Sequence, residues 1–174
     1  MVVRGVYPAG VDRHRDRLKA RVSIVISLLQ RVLDARVVTE GQTIARIDRG
    51  VLVFLGIERL DTDRQADRML GRVLGYRIFG DNQGRMNLSV TDVGGALLLV
   101  PQFTLVADTG RGMRPGFSSA AGPMEGRRLF EYFVTRARAM HESVEVGRFG
   151  ADMQVHLVND GPVTFRLRVA PGGA

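Results

Sequence analysis

Two short segments of this 174-residue chain combine residue types that could do chemistry. They are Pro101-Gln102-Phe103-Thr104-Leu105 and Asn159-Asp160-Gly161-Pro162-Val163-Thr164-Phe165. Each closes an apolar run, where a strand should hand over to a loop. Pro101 has no N–H and tends to end strand pairing, so the backbone N–H groups after it can face a ligand. Gln102 offers two donors and an acceptor, Thr104 a hydroxyl, and Phe103 a ring that could stack or pack. Such a group can hold an ester carbonyl and stabilise the oxyanion that develops on it. The same residues also suit ordinary strand-end packing, with Gln102 and Thr104 exposed. Gly161-Pro162 reads as a simple hairpin turn. Only ~5–6% of X-Pro bonds in folded proteins are cis, so sequence alone favours trans here.

Other chemistries find little support. The chain has no Cys, hence no disulfide framework, thiolate nucleophile or Cys-based zinc site. Its three histidines, His14, His141 and His156, stand apart from any Ser or Asp in a triad-like motif, and no Gly-x-Ser-x-Gly elbow occurs. Triads assemble in space, so this does not exclude one. No His-rich or carboxylate-rich spacing points to a metal, and none is expected. Glycine pairs such as Gly75 and Gly80 lack the Lys-Ser/Thr of a phosphate-binding loop, and no cofactor is implied.

The elements that must position the two segments follow from periodicity. Val22–Leu29 is β-branched and reads as a buried strand. Arg36–Thr39 and Thr43–Ile47 flank Glu40-Gly41-Gln42 as a hairpin. Gly50–Ile57 is a further apolar strand. Asp61-Thr62-Asp63 offers N-caps for a helix whose face is Ala66, Met69, Leu70, Val73 and Leu74. Gly80–Gly84 is a turn. Ala96–Val100 is a central strand that ends at Pro101. Residues 106–122 read as a long loop, a length that is often functional. Pro123 suits the first position of a second helix, with Leu129, Phe130, Phe133, Val134 and Ala137 as its apolar face. Val144–Phe149, Met153–Val158 and Val163–Val169 complete the strands, the last two joined by an Asp160-Gly161 turn. The sum is a single α+β domain: a strand-rich, barrel-like sheet, antiparallel or mixed, with two helices.

Composition sets bounds. A hydrophobic fraction of 45% fits an ordinary soluble globule with a real core. No apolar run approaches the ~20 residues of a membrane span. The absence of Cys suits a reducing cytosol, and a cytoplasmic location is the expectation. The net charge is +7, unevenly placed. Residues 1–22 carry six basic against two acidic residues, and the rest of the chain nineteen against sixteen. Twenty-four of the 25 basic residues are Arg. A mildly basic body suits either a solvated surface or a footprint for a polyanion. Residues 1–22 lack a secretory pattern. They read as a basic, disordered extension, as an artefact if a valine codon at Val25 serves as the start, or as an arm for RNA. The globular domain is placed at 23–170.

Several motifs together resemble the D-aminoacyl-tRNA deacylase family: Gln30-Arg31-Val32, Leu74–Phe79, Gly84-Arg85-Met86-Asn87, Gln102-Phe103-Thr104-Leu105, Arg111–Phe117, Gly147–Met153 and Asn159–Phe165. They occur in family order and spacing from about Val25 to Val169. The resemblance implies a cytoplasmic homodimer of barrel-like subunits, acting on the aminoacylated 3′ end of tRNA, with no role for DNA or a membrane. It implies hydrolysis of D-aminoacyl esters, and of glycyl-tRNA mischarged on tRNA(Ala). Gly161-Pro162 would be a cis pair inserted into the partner subunit's site, where its carbonyls would crowd an L side chain. Gln102, Phe103 and Thr104 would line the pocket. Thr104 would be the nucleophile, or the terminal ribose 2′-OH would assist while the protein supplies position and oxyanion donors. The second is preferred, because no base is evident near Thr104. Arg31 would support the Gly-Pro loop; Met153 and Phe117 would form the pocket wall and meet the terminal adenosine.

One departure matters. The family usually has Ser where this chain has Pro101, and a sibling group with relaxed chirality carries Pro there. This chain nevertheless keeps Gly161-Pro162-Val163-Thr164 and Arg31. D-selective behaviour is therefore expected, with a lost hydroxyl that lowers rate or loosens the boundary against glycine and L substrates. Two competing readings are a tRNA-end binding protein without turnover and a sibling-type deacylase clearing an L-amino acid.

Overall fold

The computed structural model describes residues 25–110 and 112–170. The basic segment 1–22, the first three residues of the expected strand Val22–Leu29, and Arg111 lie outside the described residues. The described residues form eight strands and two helices, in chain order. They are β1 (Val25–Thr39), β2 (Gln42–Ile47), β3 (Gly50–Gly56), α1 (Asp63–Gly75), β4 (Phe79–Gly80), β5 (Met86–Leu88), β6 (Ala96–Pro101), α2 (Pro123–Met140), β7 (Val144–Val146) and β8 (Gln154–Val169).

β1 organises the sheet. The expected strand does not stop at Leu29 but continues through Gln30–Ala35. One edge of β1 serves two partners in turn: β3 pairs antiparallel with Ile26–Val32, and β2 with Ala35–Thr39. The other edge carries β8 from Val25 to Val38. The β1–β2 hairpin forms as expected, but its turn is Glu40-Gly41, since Gln42 already belongs to β2. Both turn residues have positive φ, 52° and 77°, the geometry that matches the twist of paired strands.

β3, β6 and β7 run parallel, each linked to the next by a helix. Such strands are buried on both faces, which is why β3 and β6 read as continuous apolar runs. In β6, Leu97 and Leu99 pack toward the helices with Val51, Val53, Met69, Leu70, Leu129 and Phe133. Leu98 and Val100 pack on the opposite face with Val32, Ala35, Val37, Ala45, Ile47 and Leu52. The second set fills the concave side of a barrel-like mixed sheet. β7 is shorter than the expected 144–149. The Gly147 N–H still donates to the Leu99 carbonyl of β6 at 2.8 Å; the chain then leaves the ladder, and Phe149 turns to pack on Phe130 at 6.1 Å between ring centres.

The largest difference concerns β8. Met153–Val158 and Val163–Val169 do not form a hairpin, because both halves pair with β1 in the same antiparallel sense. Asn159 pairs with Val32 and Thr164 with Gln30. Between those pairs lie only Arg31 on β1 and residues 160–163 on β8. The Asp160-Gly161 signal therefore marks a wide bulge rather than a reversal.

α1 starts at Thr62, whose N–H donates to the Gln65 side chain at 3.0 Å, while the Gln65 N–H donates to the Thr62 carbonyl at 3.0 Å. The two helices run parallel: Asp63 meets Arg128 at 2.9 Å, and Asp67 accepts from Tyr132 and Arg136, both at 2.9 Å. The bond to Asp67 pushes the Tyr132 phenol up from its ordinary pKa. No described helix is long and apolar enough to cross a membrane.

Candidate active site

The C-terminal ends of β3 and β6 open onto a cavity of about 550 Å³, where parallel sheets commonly place their sites. Leu55 and Ile57 enter from β3 and its exit, and Val100, Pro101, Gln102 and Phe103 from the end of β6. The first turn of α2 contributes Pro123 and Gly126, and the segment after β7 contributes Phe149 through Met153. Asp152 is the one ionisable residue in this lining.

Pro101 keeps its place in the ladder opposite Leu55. The Gln102 N–H then donates to the Leu55 carbonyl at 2.8 Å, the last bond before the chain departs. Phe103–Val106 forms one 3₁₀ turn. The first N–H groups of a helical turn have no acceptor within it, and Phe103 and Thr104 occupy those positions. Gly56 lets the turn sit this close: a Cβ there would stand 2.9 Å from Leu105 Cβ and 3.2 Å from the Gln102 carbonyl oxygen. The Gln102 amide donates to the Thr104 hydroxyl at 2.5 Å. Phe103 is 61% exposed, and Phe117 tilts against it at 5.1 Å.

Met153 is held from two sides. Its sulfur accepts from the Arg148 N–H at 3.3 Å, and a Cβ on Gly147 would come within 3.0 Å of it. Phe149 packs against the start of α2, where Gly126 leaves room at 3.4 Å, and the Arg127 guanidinium lies 5.0 Å over its ring.

The β8 bulge is a second constructed feature. Gly161-Pro162 is a cis pair, and both residues are exposed at the tip. Asn159 clips the base: its Oδ1 accepts from the Val163 N–H at 2.7 Å, and its amide donates to the Thr164 hydroxyl at 3.2 Å. Arg31 fills the space opposite. Its Nε lies 3.1 Å from the Asp160 carbonyl and 3.0 Å from the Asp160 carboxylate, and its Nη1 donates to the Ile78 carbonyl at 2.6 Å.

The structure thus brings Pro101, Gln102, Phe103 and Met153 to one cavity. It ties Thr104 and Phe117 to the rim through Gln102 and Phe103. Arg31, Gly161 and Pro162 do not line the cavity of their own chain. His141 caps the far end of α2, 2.7 Å from the Gly95 carbonyl, and His156 lies on β8 opposite Arg36. Sequence reasoning passed over Gly56, and it named Asn159 and Asp152 only as members of motifs, without a role of their own. A glycine inside a strand pattern signals close backbone approach, so Gly56 could have been found. Asn159 carried a weaker signal, as a local hydrogen-bonder at a turn.

A family model described as D-Tyr-tRNA(Tyr) deacylase matches residues 28–168. A D-aminoacyl-tRNA deacylase of Aromatoleum aromaticum is 60% identical over 147 residues, covering 84% of this chain and 97% of that protein. One from Paracidovorax citrulli is 59% identical over 149 residues, covering 86% and 96%. Among solved structures, c-Myc DNA Unwinding Element Binding Protein superposes with a TM-score of 0.79 at 35% identity, covering 82% of this chain and 97% of its own.

Proposed function

The chain belongs to the D-Tyr-tRNA(Tyr) deacylase family, and we propose that residues 23–170 hydrolyse the ester of D-aminoacyl-tRNA, and of glycyl-tRNA, in the cytoplasm. The aminoacyl group and terminal adenosine occupy the cavity beyond Pro101. Water adds to the ester carbonyl carbon, and charge develops on the carbonyl oxygen. The N–H groups of the Phe103–Val106 turn and the Gln102 amide stabilise that charge. The bond to the ribose oxygen breaks, that oxygen takes a proton, and tRNA and a free D-amino acid leave.

The observation that carries this mechanism is the partner of Thr104. A hydroxyl nucleophile needs a neighbouring base, yet the group bonded to Thr104 is the Gln102 amide, which cannot take its proton at neutral pH. The ribose 2′-OH beside the ester suits an assisting role, orienting the attacking water and relaying its proton to the ribose oxygen that leaves, because it arrives with the substrate already in position. Thr104 then orients Gln102. Thr104→Ala is expected to keep hydrolysis within about tenfold of wild type, the scale of one lost neutral hydrogen bond. Complete loss in a folded variant, read by single-turnover hydrolysis, would establish the threonine as nucleophile instead.

Chiral selection is assigned to Gly161-Pro162 from a second subunit. The tip is exposed, pinned at its base and outside its own chain's cavity, which suits insertion into a homodimer partner. Carbonyls there would occupy the position of an L side chain, so rejection is steric. The deciding experiment is hydrolysis of D-Tyr-tRNA and L-Tyr-tRNA side by side, with a no-enzyme control. Loss of the D ester alone is expected, with Pro101 tolerated. Loss of both esters would move the chain to a relaxed-chirality deacylase, and loss of neither from folded protein would leave a tRNA-end binding module.

A further inference from the structure

We propose that the outer face of α1 is a ridge that binds the phosphate backbone of the tRNA beyond its aminoacylated end. This deepens the reading above and rests on it, because it supposes that the substrate is a whole tRNA. Arg64, Arg68 and Arg72 recur every four residues on α1, so they share one face over about 12 Å of helix. None of the three forms an ion pair among the described residues. The carboxylates of the same helix are turned away and consumed: Asp63 by Arg128 and Asp67 by Tyr132 and Arg136, all on α2. The segregation leaves one flank of α1 neutralised by α2 and the other flank purely basic.

The ridge is also partly ordered in advance. Arg72 donates one Nη1–H to the Arg168 carbonyl at 2.8 Å, and Arg68 reaches the Ala170 carbonyl at 3.4 Å. Each guanidinium keeps further donors for a phosphate, since arginine carries five. These bonds reduce the side-chain freedom that binding would otherwise remove. A lysine stem would offer no such fork.

Its position fits a nucleic acid whose end lies in the cavity. Ile57, just before α1, and Pro123 and Gly126, at the start of the parallel α2, line the cavity. Arg64 therefore stands on the cavity side, and Arg72 lies two turns away from it. α2 offers no equivalent face: Arg127 has Glu131 at 3.8 Å, and Arg128 is bound by Glu125 and Asp63.

The test compares wild type, Arg64→Glu, and the triple variant R64Q/R68Q/R72Q. One readout is binding of uncharged tRNA across a salt series. The other is hydrolysis of D-Tyr-tRNA against the short ester D-tyrosyl-adenosine. For the triple variant, tRNA affinity is expected to fall about tenfold or more near 0.15 M salt, and the slope of log affinity against log salt to shrink by about 2. KM for D-Tyr-tRNA should rise by a similar factor, with kcat and cleavage of the short ester unchanged. Arg64→Glu, at a residue with no described contact to lose, should weaken binding in a stably folded protein, and Arg64→Lys should restore most of it. Unchanged affinity and salt slope in both variants would overturn the ridge, as would an equal fall on both substrates. Failure of wild type to hydrolyse D-Tyr-tRNA would sink the proposed reaction, yet the binding readout would still decide the ridge.

Discussion

Gly161→Ala is expected to lower hydrolysis of D-Tyr-tRNA by about a hundredfold or more and to narrow its preference over L-Tyr-tRNA. The cause is local geometry at the bulge tip. Gly161 has φ of +142°, a region open essentially to glycine, and forcing another residue there costs of order 1–3 kcal/mol. Space is also lacking: the added Cβ would stand 2.5 Å from Val163 Cγ2 and 2.8 Å from the Val163 nitrogen. The tip must therefore move. Its freedom is small, since Val163 is bonded at its N–H to Asn159 and its side chain is buried in the core. Displacing a positioning group by about 1 Å can cost 10²-fold in rate. Side-by-side D and L hydrolysis, with a melting curve to verify folding, checks this. Full activity with an unchanged D/L ratio would remove Gly161-Pro162 from the selective site.

The helices and the parallel strands were legible because one physical cause dominates each. α1 and α2 show an apolar face at helical period with start signals at Thr62 and Pro123, and both occur where those signals put them. β3 and β6 are buried on both faces, so their runs are unbroken. β1 was legible only in part. Gln30, Arg31 and Asp34 interrupt its apolar pattern, and the sheet tolerates them because the partners that satisfy Arg31 lie on distant segments, at Ile78 and Asp160. No local pattern reports such partners. The β8 bulge failed for the same reason. Asp160-Gly161 is good turn chemistry, but whether a chain reverses there depends on which neighbour it finds, and both halves find β1. The cavity motif at Pro101–Thr104 was visible as a strand end. What surrounds it is not local in sequence: Gly126 comes from α2 and Phe149 to Met153 from beyond β7.

Arg31 gives the second large effect. Arg31→Ala is expected to destabilise the fold by about 2–4 kcal/mol, because it strips charge-assisted bonds from a largely buried group. The Arg31 side chain is only 14% exposed, so solvent replaces little of what is lost. The Ile78 carbonyl, the Asp160 carbonyl and the Asp160 carboxylate all lose this donor. The functional consequence should exceed the thermodynamic one. Arg31 is the one residue of β1 that stands opposite residues 160–163, so it sets how far the Gly161-Pro162 tip projects. Without it the tip should widen, and a wider tip rejects an L side chain less well. Hydrolysis of D-Tyr-tRNA should drop more than tenfold, while L-Tyr-tRNA, resisted by wild type, should begin to be cleaved. Arg31→Lys separates charge from geometry. An ammonium can meet the carboxylate but cannot hold the Asp160 and Ile78 carbonyls in one planar fork. It should recover stability more fully than chiral rejection. Both variants would be assayed well below their melting temperatures, so that unfolding does not enter the rates. If Arg31→Ala keeps the wild-type D/L ratio in that range, Arg31 supports β1 and β8 alone, and the shape of the tip is set by Asn159.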